Sequence, residues 1–206
     1  MFTGIVHAVG RLVASEDRGR DRRMRIACAD LDLSGTRPGD SIAVNGVCLT
    51  AVSLSGDGFA ADVSGETLAC TTLGSLASGA AINIEQALTP ATPLGGHLVS
   101  GHVDGVGELL ARSDDARSVR MRFRVPGALS RYVARKGSVC VDGVSLTVNE
   151  IDGAEFTVNL VPHTLQQTTL GDFTPGRAVN IEVDLVARYL ERLLIARDGG
   201  RKIHRL

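Results

Sequence analysis

Val44-Asn45-Gly46-Val47-Cys48-Leu49-Thr50 and Val141-Asp142-Gly143-Val144-Ser145-Leu146-Thr147 are one seven-residue phrase written twice, 97 positions apart, with five of seven residues identical. Working outward, Thr67 to Gly74 falls on Thr164 to Gly171 with six of eight identities, and Gly79 to Glu85 falls on Gly176 to Glu182. Arg23-Met24-Arg25 recurs as Arg120-Met121-Arg122, and residues 1–88 lie on 98–185 without a gap. The period is too long for a solenoid unit of roughly 20–50 residues and fits a small domain of roughly 100. The chain is therefore a tandem duplication, and two like pockets suit it to handling two like molecules.

Both copies consist of short β-prone runs broken by Gly, Asp, Ser and Pro. In the first copy these are Met24–Cys28, Ser41–Val52, Phe59–Val63 and Ala81–Glu85; in the second, Met121–Val125, Ser138–Glu150, Phe156–Val161 and Ala178–Val183. Alternation in Phe156-Thr157-Val158-Asn159-Leu160 marks half-buried strands. Several such strands at short spacing read as a small antiparallel barrel or sandwich, and roughly 90 residues with about six short strands favour the closed barrel in each copy. Thr67–Leu73 and its twin Thr164–Leu170 read as a helical turn before a glycine, and Ala128–Lys136 as a further helix. Ala87 to Pro93 is the linker. The resulting division is 1–97, 98–184 and a terminal segment 185–206.

That terminal segment stands outside the repeat. From Leu185 to Arg197, Leu185, Val186, Tyr189, Leu190, Leu193 and Leu194 form one helical stripe, with Asp184 as N-cap and Gly199-Gly200 as the stop. A helix this short needs a surface to pack on, either the second barrel or another copy of the chain.

Composition is that of a soluble globular protein: 44% hydrophobic and 22% charged residues, with net charge −1. Aromatics at 3% and the lack of Trp argue against nucleic-acid binding, which favours a basic face and stacking rings. The start of the sequence has no basic leader and no run reaches membrane-spanning length, so a cytoplasmic location with four free cysteines is expected. The five histidines have no zinc-site spacing; only His97 and His102, five apart among glycines, raise the question of a metal.

Positions shared by the copies maintain the scaffold, and polar differences carry distinct roles. Gly4/Gly101, Gly46/Gly143 and Gly74/Gly171 serve turns or close backbone approach. The informative differences are Ile5 to His102, Asn45 to Asp142, Cys48 to Ser145, Glu66 to His163 and Ala87 to Asp184. The second copy gains an imidazole and a carboxylate, so two pockets holding the same molecule would polarise it differently. Each residue has a plainer reading. Cys48 fits a buried small hydrophobe, Ser145 and Thr147 strand hydrogen bonding, Asp184 a helix cap, and Lys136 a solvated charge.

These blocks, in this order, resemble riboflavin synthase of the type with two lumazine-binding barrels per chain. The most specific are Met1-Phe2-Thr3-Gly4-Ile5-Val6, Asn45 to Thr50, Gly95 to Val103, Val141 to Asn149 and Asn180 to Asp184. The resemblance implies an all-β fold of two tandem six-stranded antiparallel Greek-key β-barrels plus a C-terminal α-helix. It implies dismutation of two molecules of 6,7-dimethyl-8-ribityllumazine: one gives a four-carbon unit to the other, yielding riboflavin and a diaminopyrimidine, with no metal or cofactor. It further implies a homotrimer held partly by the terminal helices, with lumazine synthase as a candidate partner and no nucleic acid or membrane.

Carried over residue by residue, the first pocket is lined by Gly4, Ile5, Val6, Cys48, Leu49, Thr50, Asp62, Val63, Ser64, Gly65, Glu66 and Thr67. The second is lined by Gly101, His102, Val103, Lys136, Ser145, Leu146, Thr147, Val161, Pro162, His163, Thr164, Leu165 and Gln166. The 7-methyl of the lumazine is a carbon acid, so the site needs a base or bound water there and donors where charge collects. His102, Ser145, Thr147 and Asp184 are expected to do this near the second pocket, and Cys48 with Thr50 in the first, with Phe2 near the reacting pair. His163 departs from the Glu often found at that place, and Val47 stands where some members carry a second cysteine. The competing readings are a non-catalytic lumazine or flavin carrier and an oligonucleotide-binding barrel pair.

Overall fold

Asn45 and Gly46 both take positive φ, 45° and 77°, as do Asp142 and Gly143 at 44° and 82°. Two successive left-handed residues make the tight turn whose twist matches a β-hairpin, and Asn-Gly and Asp-Gly favour it. The β-prone runs Ser41–Val52 and Ser138–Glu150 are therefore hairpins: β3 (Ser41–Val44) with β4 (Val47–Ser55), and β9 (Ser138–Val141) with β10 (Val144–Asp152).

The computed structural model describes residues 1–201, so His204 and the tail after Arg201 lie outside the described residues. The first copy adds β1 (Ala8–Arg18), β2 (Asp21–Ala27), β5 (Gly58–Val63) and β6 (Ala81–Gln86). The second adds β7 (Gly105–Asp115), β8 (Ser118–Arg124), β11 (Glu155–Leu160) and β12 (Ala178–Val183). Each set closes into an antiparallel six-stranded barrel, β1-β2-β5-β4-β3-β6 and β7-β8-β11-β10-β9-β12. The return of β6 beside β3, after the β3-β4-β5 meander, is a Greek key. Register shifts fall at the same places in both, between Leu12 and Ala14 and between Leu109 and Ala111. Such bulges bend long strands around a small barrel.

Inward-facing residues fill each barrel. Leu12, Met24, Ile26, Ile42, Leu49, Phe59 and Ile82 form the first core; Leu109, Met121, Phe123, Val139, Leu146, Phe156 and Val179 form the second. Phe123 and Phe156 stack there with centroids 5.6 Å apart. Between the barrels a small third cluster gathers Phe2, Ala43, Val99 and Cys140.

Three helical expectations shift. Helix α1 spans Gly65–Cys70, capped by Ser64 Oγ accepting from Thr67 N, and a 3-10 turn, Thr72–Ser75, follows and includes Gly74. Its twin α2 spans Pro162–Gln167, where Pro162 replaces the cap by presetting the first turn. The expected helix over Ala128–Lys136 is only a 3-10 turn, Gly127–Tyr132, because Lys136 takes φ 67° and cannot lie in a right-handed helix. Helix α3 runs Leu185–Arg201 and passes through Gly199-Gly200, which do not stop it. Its start is as expected: Val186 N donates to Asp184 Oδ1 at 2.9 Å. Among the described residues, no helix is long and apolar enough to cross a membrane.

Candidate functional site

The site begins with two carboxylates at matching places on β6 and β12. Glu85 accepts from Thr3 N, Thr3 Oγ1 and Gly4 N at 2.6, 2.7 and 3.0 Å. Glu182 accepts from Ser100 N, Ser100 Oγ and Gly101 N at 2.7, 2.6 and 2.9 Å. Burial pushes the Glu85 carboxyl above its ordinary range, against the lowering effect of the Thr3 and Gly4 donors and of His7. These clamps fix the two segments that precede the barrels, Met1–Val6 and Leu98–Val103. Phe2 and Val99 then pair with each other as an antiparallel bridge, N to O at 2.7 and 3.1 Å. Phe2 is wholly buried, which stabilises the junction by about 1.5–3 kcal/mol.

Beyond the bridge each segment crosses to the other barrel. Ser145 N donates to Gly4 O at 2.7 Å, and Cys48 N donates to Gly101 O at 2.8 Å. Val6 packs on the second core and Val103 on the first. Both glycines take positive φ, 74° and 80°, and a Cβ on either would lie 2.6 Å from the Cβ of Ser145 or Cys48. No other residue permits that approach.

The crossing corrects the expected grouping. Gly4, Ile5 and Val6 join Ser145, Leu146 and Thr147 of the second barrel, with Leu165 of α2 on the same core. Gly101, His102 and Val103 join Cys48, Leu49 and Thr50 of the first barrel, with Leu68 of α1. His102 thus neighbours Cys48, and Ser145 is left with Ile5. The physical cause is the Phe2–Val99 bridge at the junction, about which the two copies are related by an approximate two-fold rotation and exchange their leading segments.

Within each site, strand alternation sets the roles. Cys48 and Ser145 are half-buried at the rim, Leu49 and Leu146 turn into the cores, and Thr50 and Thr147 are exposed, as are Ile5 and His102. Val63 is core, whereas Asp62 is exposed and held by Arg23 at 2.7 Å, which keeps its carboxyl below the ordinary range. Ser64, Gly65, Glu66 and Thr67 form the start of α1, as Pro162, His163, Thr164, Leu165 and Gln166 form α2 after Val161, which is 55% exposed. Lys136 is exposed on its left-handed turn, and its side chain makes no hydrogen bond or ion pair among the described residues. Asp184 caps α3, and its charge acts on His97.

Two further residues take their roles from the three-dimensional arrangement. His97 Nδ1 lies 2.7 Å from Ser145 Oγ; the sequence flagged it only for its spacing to His102, yet the two histidines serve different barrels. Asp142, fully buried at the junction, accepts from Asn180 N at 2.6 Å as Asn45 accepts from Asn83 N at 2.8 Å. The amides of Asn83 and Asn180 reach across to Asp142 O and Asn45 O at 2.8 and 2.9 Å, locking barrel to barrel.

Helix α3 is tied to this region by polar contacts. Arg188 Nη2 donates to His102 O at 2.9 Å and to Asp104 Oδ2 at 2.6 Å, and Glu191 accepts from Arg131 and from the Tyr132 hydroxyl. Its apolar residues Val186, Tyr189, Leu190, Leu193 and Ile195 stay more than half exposed.

The chain matches the lumazine binding domain twice, at residues 3–87 and 100–184. It is 49% identical to riboflavin synthase of Photobacterium phosphoreum, covering 95% of this chain and 89% of that protein. To the riboflavin synthases of Mycobacterium bovis and Bacillus subtilis it is 46% and 37% identical, with 94% of this chain covered and 98% and 90% of theirs. Among solved structures it is similar to LumP complexed with riboflavin, at TM-score 0.82 and 25% identity over 89% of this chain and 99% of that one. With its two barrels, its crossed leading segments and these relatives, the chain belongs to the riboflavin synthase family, built from tandem lumazine-binding domains.

Proposed function

We propose that the chain is a riboflavin synthase that binds one 6,7-dimethyl-8-ribityllumazine in each barrel and dismutates the pair. Two lumazines give one riboflavin and one 5-amino-6-(D-ribitylamino)uracil: the four carbons that leave one ring complete the xylene ring of the other, and no external oxidant or reductant enters. The observation that carries this reading is the pair of like sites with unlike polar groups, Cys48 with His102 in one and Ser145 with His97 in the other. Equivalent molecules held alike but polarised differently are what a reaction between two copies of one substrate requires. Holding both in register contributes roughly 7–11 kcal/mol of the barrier reduction.

The units are bounded at 1–97, 98–184 and 185–206, with the sites composed across the first boundary. The exposed apolar face of α3 supports a trimer in which the first barrel of one subunit meets the second barrel of the next. The transfer is metal-free, and the work is cytoplasmic.

The test is direct. Purified protein mixed with the lumazine yields riboflavin absorbance and fluorescence, with two lumazines consumed per riboflavin formed. His102→Ala and Ser145→Ala lower turnover more than they weaken lumazine binding; binding without turnover in the unaltered protein would instead identify a carrier.

A further inference from the structure

Ser145 has a partner that Cys48 lacks. His97 precedes the second copy, and the position 97 residues beyond it is Leu194 on α3, so the repeat supplies no second imidazole. The His97 backbone is fixed: its N–H donates to Thr3 O at 3.0 Å. Gly96 before it lies so close that a Cβ would be 2.1 Å from Thr3 O and 2.8 Å from Ser145 Cβ. The imidazole is therefore held against Ser145 by backbone on both sides.

The hydrogen on the ring can be assigned from what surrounds it. Burial pushes the His97 pKa down, against the opposing pull of Asp184 on α3 and Glu182 on β12, so the ring is neutral and carries one N–H. Nε2 is buried with no hydrogen-bond partner among the described residues. A buried N–H without an acceptor is rarer and costlier than a bare acceptor. The hydrogen belongs on Nδ1, which donates to Ser145 Oγ at 2.7 Å. The Ser145 hydroxyl hydrogen is then free of the protein and available to a ligand.

We propose that His97 is a positioning residue that turns the Ser145 hydroxyl outward as a hydrogen-bond donor, and that the lumazine anion is stabilised at the Ser145 site rather than the Cys48 site. The proposal rests on the lumazine reading above. When the 7-methyl loses its proton to water, the carbon's electron pair delocalises into the ring nitrogens and carbonyl oxygens. A donor already aimed at those atoms, and strengthened by the hydrogen bond it accepts, stabilises the charge without reorganising. Cys48 offers only a weak S–H donor. The two sites thus divide the work: the molecule beside Ser145 ionises, and the one beside Cys48 receives it.

The experiment is steady-state turnover with the full chain and 6,7-dimethyl-8-ribityllumazine, together with the absorbance band of the bound lumazine anion. His97→Ala lowers kcat about tenfold with little change in KM, and the anion band falls in step. His97→Asn, whose amide stands where Nδ1 stood, restores most of the loss; His97→Gln, whose amide reaches past it, does not. In a Ser145→Ala background, His97→Ala costs less than about twofold more. If His97→Ala does not fold, His97→Phe fills the ring space without a donor and takes its place. Unchanged kcat in His97→Ala, equal rescue by Gln and Asn, or losses that multiply in the double variant each overturn the proposal. No riboflavin from the unaltered protein would instead overturn the functional reading beneath it.

Discussion

Asp142→Asn should stabilise the protein, and only above a particular pH. The carboxyl sits 1% exposed in the β9–β10 turn, with Oδ1 taking the Asn180 N–H at 2.6 Å. Burial lifts its pKa from the ordinary 3.8 to about 7, outweighing the Asn180 hydrogen bond and the attraction of Arg177. Since the folded form holds its proton more tightly than the unfolded form, unfolding releases that proton at any pH between the two values. Stability is therefore full at pH 4 and below, falls as pH rises, and reaches its floor above pH 7. Three pH units at about 1.4 kcal/mol each make the loss about 4 kcal/mol. An amide has the same shape and does not titrate, and Asn45 already fills the matching place, taking Asn83 N at 2.8 Å. Urea unfolding followed by far-ultraviolet circular dichroism at pH 5, 6, 7 and 8 measures this; with no Trp in the chain, fluorescence is a poor reporter. Protein concentration stays fixed, because association shifts apparent stability. Asp142→Asn should match the unaltered protein near pH 4 and lead it by up to about 4 kcal/mol at pH 8. Parallel pH profiles for the two proteins would refute the reasoning, as would lower stability of the variant at pH 8.

Three other perturbations test the architecture. Gly4→Ala should abolish lumazine binding at the Ser145 site while leaving the Cys48 site, and Gly101→Ala should do the reverse; calorimetric titration would show one of two binding events lost in each. Arg188→Met removes the donor shared by His102 O and Asp104 Oδ2 at 2.9 and 2.6 Å, and turnover should fall about tenfold while the barrel melts normally. Leu193→Glu places a charge in the middle of the exposed α3 stripe, where Leu193 is 68% exposed, and should lower the sedimenting mass of the protein toward that of a monomer if the proposed trimer uses this face; an unchanged mass would count against that use.

Much of the fold was legible because the code for it is local. Alternation in Phe156–Leu160 marks a strand whatever surrounds it, and the α3 stripe and its Asp184 cap are visible in one dimension. The β3–β4 and β9–β10 hairpins carry their signal in Asn45-Gly46 and Asp142-Gly143, two residues that interrupt an otherwise strand-like run so briefly that the run is easily taken whole. Gly199-Gly200 failed as a stop because two glycines lower helix propensity without forbidding the conformation. Lys136 shows the opposite error: a helix-favouring residue held at φ 67° by its place between β8 and β9.

The site was half legible for a different reason. The repeat marks the same segments in both copies, but alignment of copy on copy pairs each segment with its own barrel. The signal that was available lies in the glycines. Gly4 and Gly101 both take positive φ and both let another chain segment come within a side chain's reach, Ser145 at one and Cys48 at the other. The contact of His97 with Ser145 has no such signal, because His97 falls between the aligned spans 1–88 and 98–185, outside the frame in which the copies are compared.

Exchange of the leading segments explains how two copies of one barrel came to differ where it matters. Each site is made of a rim strand from one copy and a leading segment from the other. A change at position 5 alters the Ser145 site without disturbing the Cys48 site, and a change at position 102 does the converse. Ile5 and His102 could therefore diverge independently while Glu85 and Glu182, Gly46 and Gly143, and Asn83 with Asn180 kept the two-fold junction intact. The same exchange makes neither half self-sufficient. A chain cut at residue 97 would retain the first barrel and Cys48 but lack Gly101, His102 and Val103, so its pocket would be open on one side. Divergence of the two sites and dependence of each on both copies are consequences of one backbone crossing.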